Sequence, residues 1–138
     1  DEEDRPEIAV VLDDCVGILD KAVANLATRS RHYGIKLLVI SSQKFRGALD
    51  PIIRANTTDL IVGSPFPNQR ELQAISEEFG DMFGGPKKFL EMYHQATPSK
   101  YDFFTAKLTN PPRAFQRFDR ELQFTQIDNE ELKNAINI

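Results

Sequence analysis

The chain has 138 residues, a formal charge of −4, one cysteine and 41% hydrophobic residues, ten of them Phe. This is one domain's worth of chain with enough apolar side chain for a real core; its acidic balance excludes a global basic footprint for nucleic acid, so any DNA contact falls to a local basic patch. Cys15 alone excludes an internal disulfide framework and fits a reducing compartment, and no apolar run approaches the roughly 20 residues of a membrane span.

Residues 1–7, DEEDRPE, carry neither a Met nor a signal-peptide pattern and read as a solvated lead-in; a fragment or a processed product is expected. Glu7–Asp13 reads as a strand buried on both faces, because its apolar run is rich in β-branched side chains. Val16–Arg31 has apolar residues at Val16, Leu19, Val23, Leu26 and Ala27, a helical spacing, with Gly34 as a helix-end residue. Ile35–Ser42, IKLLVISS, is a second buried strand, so the first half reads β-α-β, the signature of a parallel sheet. Phe45–Ala55 is a short helical stretch that starts at Pro51 with Asp50 as its N-cap, and Asp59–Val62, DLIV, is a third strand.

Ser64-Pro65-Phe66-Pro67 can be neither helix nor central strand. Asn68–Phe79 is an amphipathic helix with Asn68 as N-cap, Glu71 as its capping-box partner and Gly80 as its end. Pro86–Gln95 is a further helix, and His94 on it reads as a surface residue. Tyr101–Leu108 is a strand, Pro111-Pro112 breaks the chain, and Phe115, Phe118, Leu122 and Phe124 suggest a hairpin or arm packing on the body. Asp128–Ile138 reads as a C-terminal helix or frayed tail.

The chemistry concentrates at strand ends. Asp13-Asp14 follows an apolar strand, where two adjacent carboxylates are costly to hold unless a cation or a polarised water offsets them. Ligands of open α/β sheets bind just beyond the carboxyl ends of strands, and apolar strand plus Asp-Asp looks like a Walker B element. The same residues fit a strand that ends in a polar turn capping the next helix. Gln43 follows the second strand and is expected on the same sheet edge, where an amide can orient a water between a carboxylate and a phosphate; it also fits an ordinary polar strand end. Arg54 fits a surface residue at a helix end or an arginine finger reaching a neighbouring subunit. A Walker A loop, G-x-x-x-x-G-K-[ST], is absent: Gly84-Gly85-Pro86-Lys87-Lys88 lacks the first glycine and the hydroxyl, and its proline removes an N–H.

Taken together, VVLDDC, RSRHYGIKLLVISSQ and LDPIIRANTTDLIV resemble, in order and spacing, the C-terminal half of the DNA-packaging ATPases of large DNA viruses, of the poxvirus type, within the FtsK–HerA superfamily. The likeness covers roughly residues 8–63. It implies an α/β fold with a three-layer, P-loop-NTPase-like parallel sheet, partial because the Walker A half is missing, and a C-terminal helical and β extension. A single domain over 1–138 is expected, with residues 7–63 running from Walker B to the arginine finger and residues 64–138 as the extension.

The resemblance further implies an ATP-hydrolysing motor that packages viral DNA, with ATP and Mg²⁺ as cofactors. Asp13 then holds the Mg²⁺ through water, Asp14 polarises the attacking water, Gln43 is the sensor and Arg54 acts in trans; Arg31 and His32 match a family Arg-His pair. The implied partners are double-stranded DNA, further copies in a homo-oligomeric ring and capsid proteins, with no membrane. The implied location is the viral factory in the host cytoplasm, or the virion. DNA contact is expected from pore-facing loops, with Lys44 and Arg46 as candidates. Without Walker A the chain alone is expected not to hydrolyse ATP. Two other readings stand beside this one: a non-catalytic α/β interaction module that binds a capsid or partner protein, and an Mg²⁺-dependent nuclease or phosphatase using Asp13-Asp14, which lacks the further acids of a two-metal site.

Overall fold

The computed structural model describes residues 6–15, 20–47 and 49–124. The expected start of the first helix at residues 16–19 and the expected C-terminal helix lie outside the described residues. The chain divides into two compact units, Asp1–Thr57 and Thr58–Ile138.

In the first unit, β1 (Ile8–Asp13), α1 (Asp20–Arg29), β2 (Ile35–Ser41) and α2 (Pro51–Ala55) follow one another. The strands pair in parallel, with Val10 opposite Leu38, Val11 opposite Val39, Leu12 opposite Ile40 and Asp13 opposite Ser41. Successive side chains alternate between faces. Leu12 and Ile40 share the face that packs on Val23 and Ala24 of α1 and Ile53 of α2, with Ala27 and Leu49 at the margin. The other face holds Val11, Leu37 and Val39, which remain 65%, 56% and 38% exposed. The strands expected to be buried on both faces are therefore covered on one, because among the described residues both helices of the unit pack on the same side. Asp50 caps α2 as its sequence suggests: its Oδ1 accepts from the Ile52 N–H at 2.8 Å, and Pro51 takes the first turn, where its missing N–H costs nothing.

In the second unit, β3 (Asp59–Gly63), α3 (Gln69–Phe79), a 3₁₀ turn (Gly80–Phe83), α4 (Pro86–Ala96), β4 (Phe103–Lys107), β5 (Arg113–Gln116) and β6 (Arg120–Leu122) build a four-stranded sheet in the order β3-β4-β5-β6. Every neighbouring pair in it is antiparallel. The described structure is therefore mixed α/β, with a two-stranded parallel and a four-stranded antiparallel sheet, and DLIV, read from the sequence as a third strand, pairs in the antiparallel one. The reason lies in alternation. Leu60 and Val62 stand opposite Ala106 and Phe104 and turn inward, while Ile61 between them is 54% exposed. One buried face is what an antiparallel edge strand needs.

The core of this unit is aromatic. Phe83, Phe89 and Phe104 are fully buried, with ring centroids 5.7 Å apart for Phe83–Phe89 and 5.3 Å for Phe89–Phe104, both edge to face. Burying each such ring contributes roughly 1.5–3 kcal/mol. The Tyr93 hydroxyl donates to the Gly63 carbonyl at 2.9 Å and ties α4 to β3. Asn68 caps α3 by accepting from the N–H groups of Arg70 and Glu71 at 3.0 and 3.4 Å. Gly80 ends that helix without ending the turn: a Cβ there would stand 2.9 Å from the backbone of Pro86. Gly84 and Gly85, at φ 95° and 114°, turn the chain into α4, which starts at Pro86. The suggestive glycine-lysine stretch is thus a turn between helices.

β5 and β6 form the expected hairpin, with Gln116 opposite Arg120 and Arg117, Phe118 and Asp119 as its loop. Arg117, at φ 55°, sends Nε and Nη2 to Asp102 Oδ1 at 3.0 and 2.8 Å, and the Ser99 N–H donates to Asp102 Oδ2 at 2.9 Å. The Arg117 hydrogen bond holds the Asp102 carboxyl below its ordinary value of 3.8, against the opposing effect of burial.

Candidate site at the carboxyl ends of the parallel strands

Parallel pairing decides which residues meet. β1 and β2 run side by side and end together at Asp13 and Ser41, so Asp14, one residue on, and Gln43, two residues on, leave the sheet at the same end. The Ser41 hydroxyl donates to Asp13 Oδ1. The Asp14 N–H donates to both the Ser41 carbonyl and its Oγ, at 3.1 and 3.2 Å. Asp14 itself takes φ 52°, a left-handed conformation that aspartate tolerates better than most residues but that still carries strain. Both carboxylates are exposed to solvent. Cys15 adds a thiol donating to the Asp13 carbonyl at 3.3 Å.

On the neighbouring strand the Ser42 hydroxyl donates to the Lys44 carbonyl at 2.7 Å and accepts from the Lys44 N–H at 3.2 Å. This short turn presents Gln43 and Lys44 to solvent. The chain then buries Phe45, and the Arg54 guanidinium of α2 lies over the Phe45 ring at 5.4 Å from its centroid. Arg54 is thereby held by the segment that carries Gln43, within its own unit.

Asp13, Asp14 and Gln43 thus share one strand end, and Arg54 packs on the loop that leaves it. Arg31 and His32 do not join them. Both are exposed in the turn that precedes β2, at the amino end of the parallel strands, and the His32 N–H donates to the Arg29 carbonyl at 2.9 Å. A strand of this length separates them from Asp13 by about 20 Å. Sequence reasoning missed Ser41. Its signal was position: as the last residue of one strand it stands opposite the last residue of the other.

The two carboxylates and the Ser41 hydroxyl are hard oxygen donors of the kind Mg²⁺ accepts while keeping most of its water. Among the described residues no group of three or more His, Cys, Asp and Glu side chains is placed to hold a metal by itself. Two carboxylates and a hydroxyl do not make a closed protein cage for a metal. Among the described residues no helix is long and apolar enough to cross a membrane. No protein-family model matches the chain, and neither a curated protein nor a solved structure matches it.

Proposed function

We propose that the chain is the Walker B and sensor half of an ATP-hydrolysing motor of the viral DNA-packaging type, built on a P-loop-like parallel sheet of which β1 and β2 are two strands. The observation that carries the reading is the parallel pairing of β1 with β2, which brings Asp13, Asp14 and Gln43 to one strand end. In this reading Asp13, steadied by the Ser41 hydroxyl, holds the water shell of Mg²⁺. Asp14 accepts the proton of the attacking water, and the Gln43 amide orients that water toward the terminal phosphate. Mg²⁺ supplies charge neutralisation on the phosphates when bound. Arg54 contributes positive charge across a subunit boundary once it leaves the Phe45 ring. Further copies in a ring, double-stranded DNA touched by Lys44 and Arg46, and capsid proteins are the partners, in a viral factory of the host cytoplasm or in the virion.

Two experiments test this. The reading frame upstream of Asp1 should encode a strand followed by G-x-x-x-x-G-K-[ST]; a frame without it removes the motor. In the protein that joins both halves, Asp14→Asn should lower phosphate release at least about a hundredfold with Mg-ATP still bound, since general-base groups contribute on the order of 10² to 10⁴ in rate. An unchanged rate takes Asp14 out of the mechanism. Arg54→Ala subunits mixed with Asp14→Asn subunits should regain part of the activity if Arg54 acts in trans.

The second reading is a non-catalytic α/β module that binds a capsid or partner protein. The exposed apolar face of Val11, Leu37 and Val39 supports it. Nucleotide-independent partner binding that is lost in Leu37→Lys would favour it over the motor.

A further inference from the structure

The second unit exposes two aromatic rings that its core does not use. Tyr101 is 77% exposed and Phe118 is 67% exposed. They belong to one surface: the Arg117 N–H donates to the Phe103 carbonyl at 2.8 Å, the Arg117 guanidinium holds Asp102, and the Phe118 ring packs on Phe103 with centroids 4.8 Å apart. Phe118 meets the Phe103 ring in a T-shaped contact, with the ring planes at 61°, and Tyr101 has the Lys100 ammonium 5.1 Å from its centroid.

Both ring-bearing loops are bent through left-handed, non-glycine residues, Tyr101 at φ 70° and Arg117 at φ 55°. These are positions where glycine would fold most easily, yet they carry a ring and a guanidinium. The charges around the rings are Lys100, Arg117 and Arg120 against Asp102 and Asp119. Asp102 is buried and satisfied by Arg117, and Arg113 and Glu121 on the same hairpin pair with each other. Outside these pairs Lys100 and Arg120 stand against Asp119, two cations to one carboxylate, on a chain whose total is −4.

We propose that this surface binds an unpaired nucleic-acid strand, with bases stacking on Tyr101 and Phe118 and phosphates meeting Lys100 and Arg120. Exposed rings beside cations are the arrangement that holds single strands without reading their sequence. A duplex keeps its bases inside the stack and cannot offer them to these rings. The inference is separate from the motor reading, since it needs neither ATP nor the strand-end carboxylates.

The test is fluorescence anisotropy of the full chain with labelled oligothymidylate of about 20 nucleotides, with a duplex of equal length, and with phosphatidylserine vesicles. Binding to the single strand should exceed binding to the duplex, and the Tyr101→Ala, Phe118→Ala double variant should weaken it at least about tenfold. Tyr101→Gly supplies the folding control: it suits the left-handed backbone, so its melting temperature should not fall while single-strand affinity does. Lys100→Ala with Arg120→Ala should flatten the salt dependence by a slope of about 1.4, the value for two phosphate contacts on a single strand. Equal affinity for duplex, no binding of the single strand, binding to vesicles alone, or affinity unchanged in the double variant each overturns the proposal.

Discussion

The two units use their apolar residues differently. In the first, Leu12 and Ile40 pack on α1 and α2 while Val11, Leu37 and Val39 on the reverse of the same strands stay open to solvent. In the second, Phe104 and Ala106 of β4 are fully buried, and Phe83 and Phe89 close over them from the 3₁₀ turn and α4. A two-stranded sheet with one covered face gains little from burial, whereas four strands with helices across one face can stand alone. The fully buried aromatic core thus lies in the second unit and the strand-end carboxylates in the first. At the candidate site Asp14 takes a left-handed backbone that costs the fold.

The difference between the two units is tested most sharply at Phe89. Phe89→Ala empties a site walled by Phe83 and Phe104 and should cost about 3–5 kcal/mol in urea unfolding of the second unit. Amide exchange should rise throughout β4 and α4 and leave β1 and β2 unchanged; an equal rise in both units would show that they unfold together.

Next in size is Asp102→Asn, which removes the charge that Arg117 and the Ser99 N–H hold. The wild-type carboxyl titrates below its ordinary value of 3.8. Its stabilising contribution is therefore complete above that value and is lost as the pH falls through the lower, folded value. Chemical denaturation of the wild type should weaken over that acid window, and the Asn variant should be less stable at neutral pH with a shallower acid dependence. A variant with the same acid limb as the wild type would exclude Asp102 as its source.

Thr105→Val should act in the opposite direction. The Thr105 hydroxyl is buried with no hydrogen-bond partner among the described residues. Replacing it with a methyl group of similar shape removes that unmet demand and should stabilise the unit by about 1 kcal/mol, read as a higher denaturant midpoint. The smallest effect is expected at Val11→Thr. On the exposed face of β1 it should change stability by less than about 0.5 kcal/mol, whereas the same change at Leu12, on the covered face, should cost several times more. Equal costs at the two positions would show that the outer face is covered in solution.

The sequence made the local devices legible. Asp50 with Pro51 and Asn68 with its following turn announce helix starts because capping depends on neighbours in the chain. The parallel pair was legible too, since β-α-β leaves few other arrangements. The partner of β3 was not. DLIV is four residues long, too short to separate a strand buried on both faces from one that alternates, and only its pairing with β4 decides. The candidate site divides along the same line. That Asp13, Asp14 and Gln43 leave one sheet edge follows from chain direction. The Ser41–Asp13 contact depends on register, and Arg54 over Phe45 depends on how α2 lies, neither of which periodicity encodes. The pairing of Phe118 with Phe103 likewise needs the hairpin to fold back across β4.

The contact between Gly80 and Pro86 also reaches past this one chain. With a Cβ at position 80 held 2.9 Å from main-chain atoms of Pro86, no flexible side chain can yield to make room, and Gly84 and Gly85 are fixed by their positive φ. The spacing G-x-x-x-G-G-P is therefore a fingerprint of this helix-to-helix corner. Distant kin that have drifted everywhere else will still carry it, or will have rebuilt the corner.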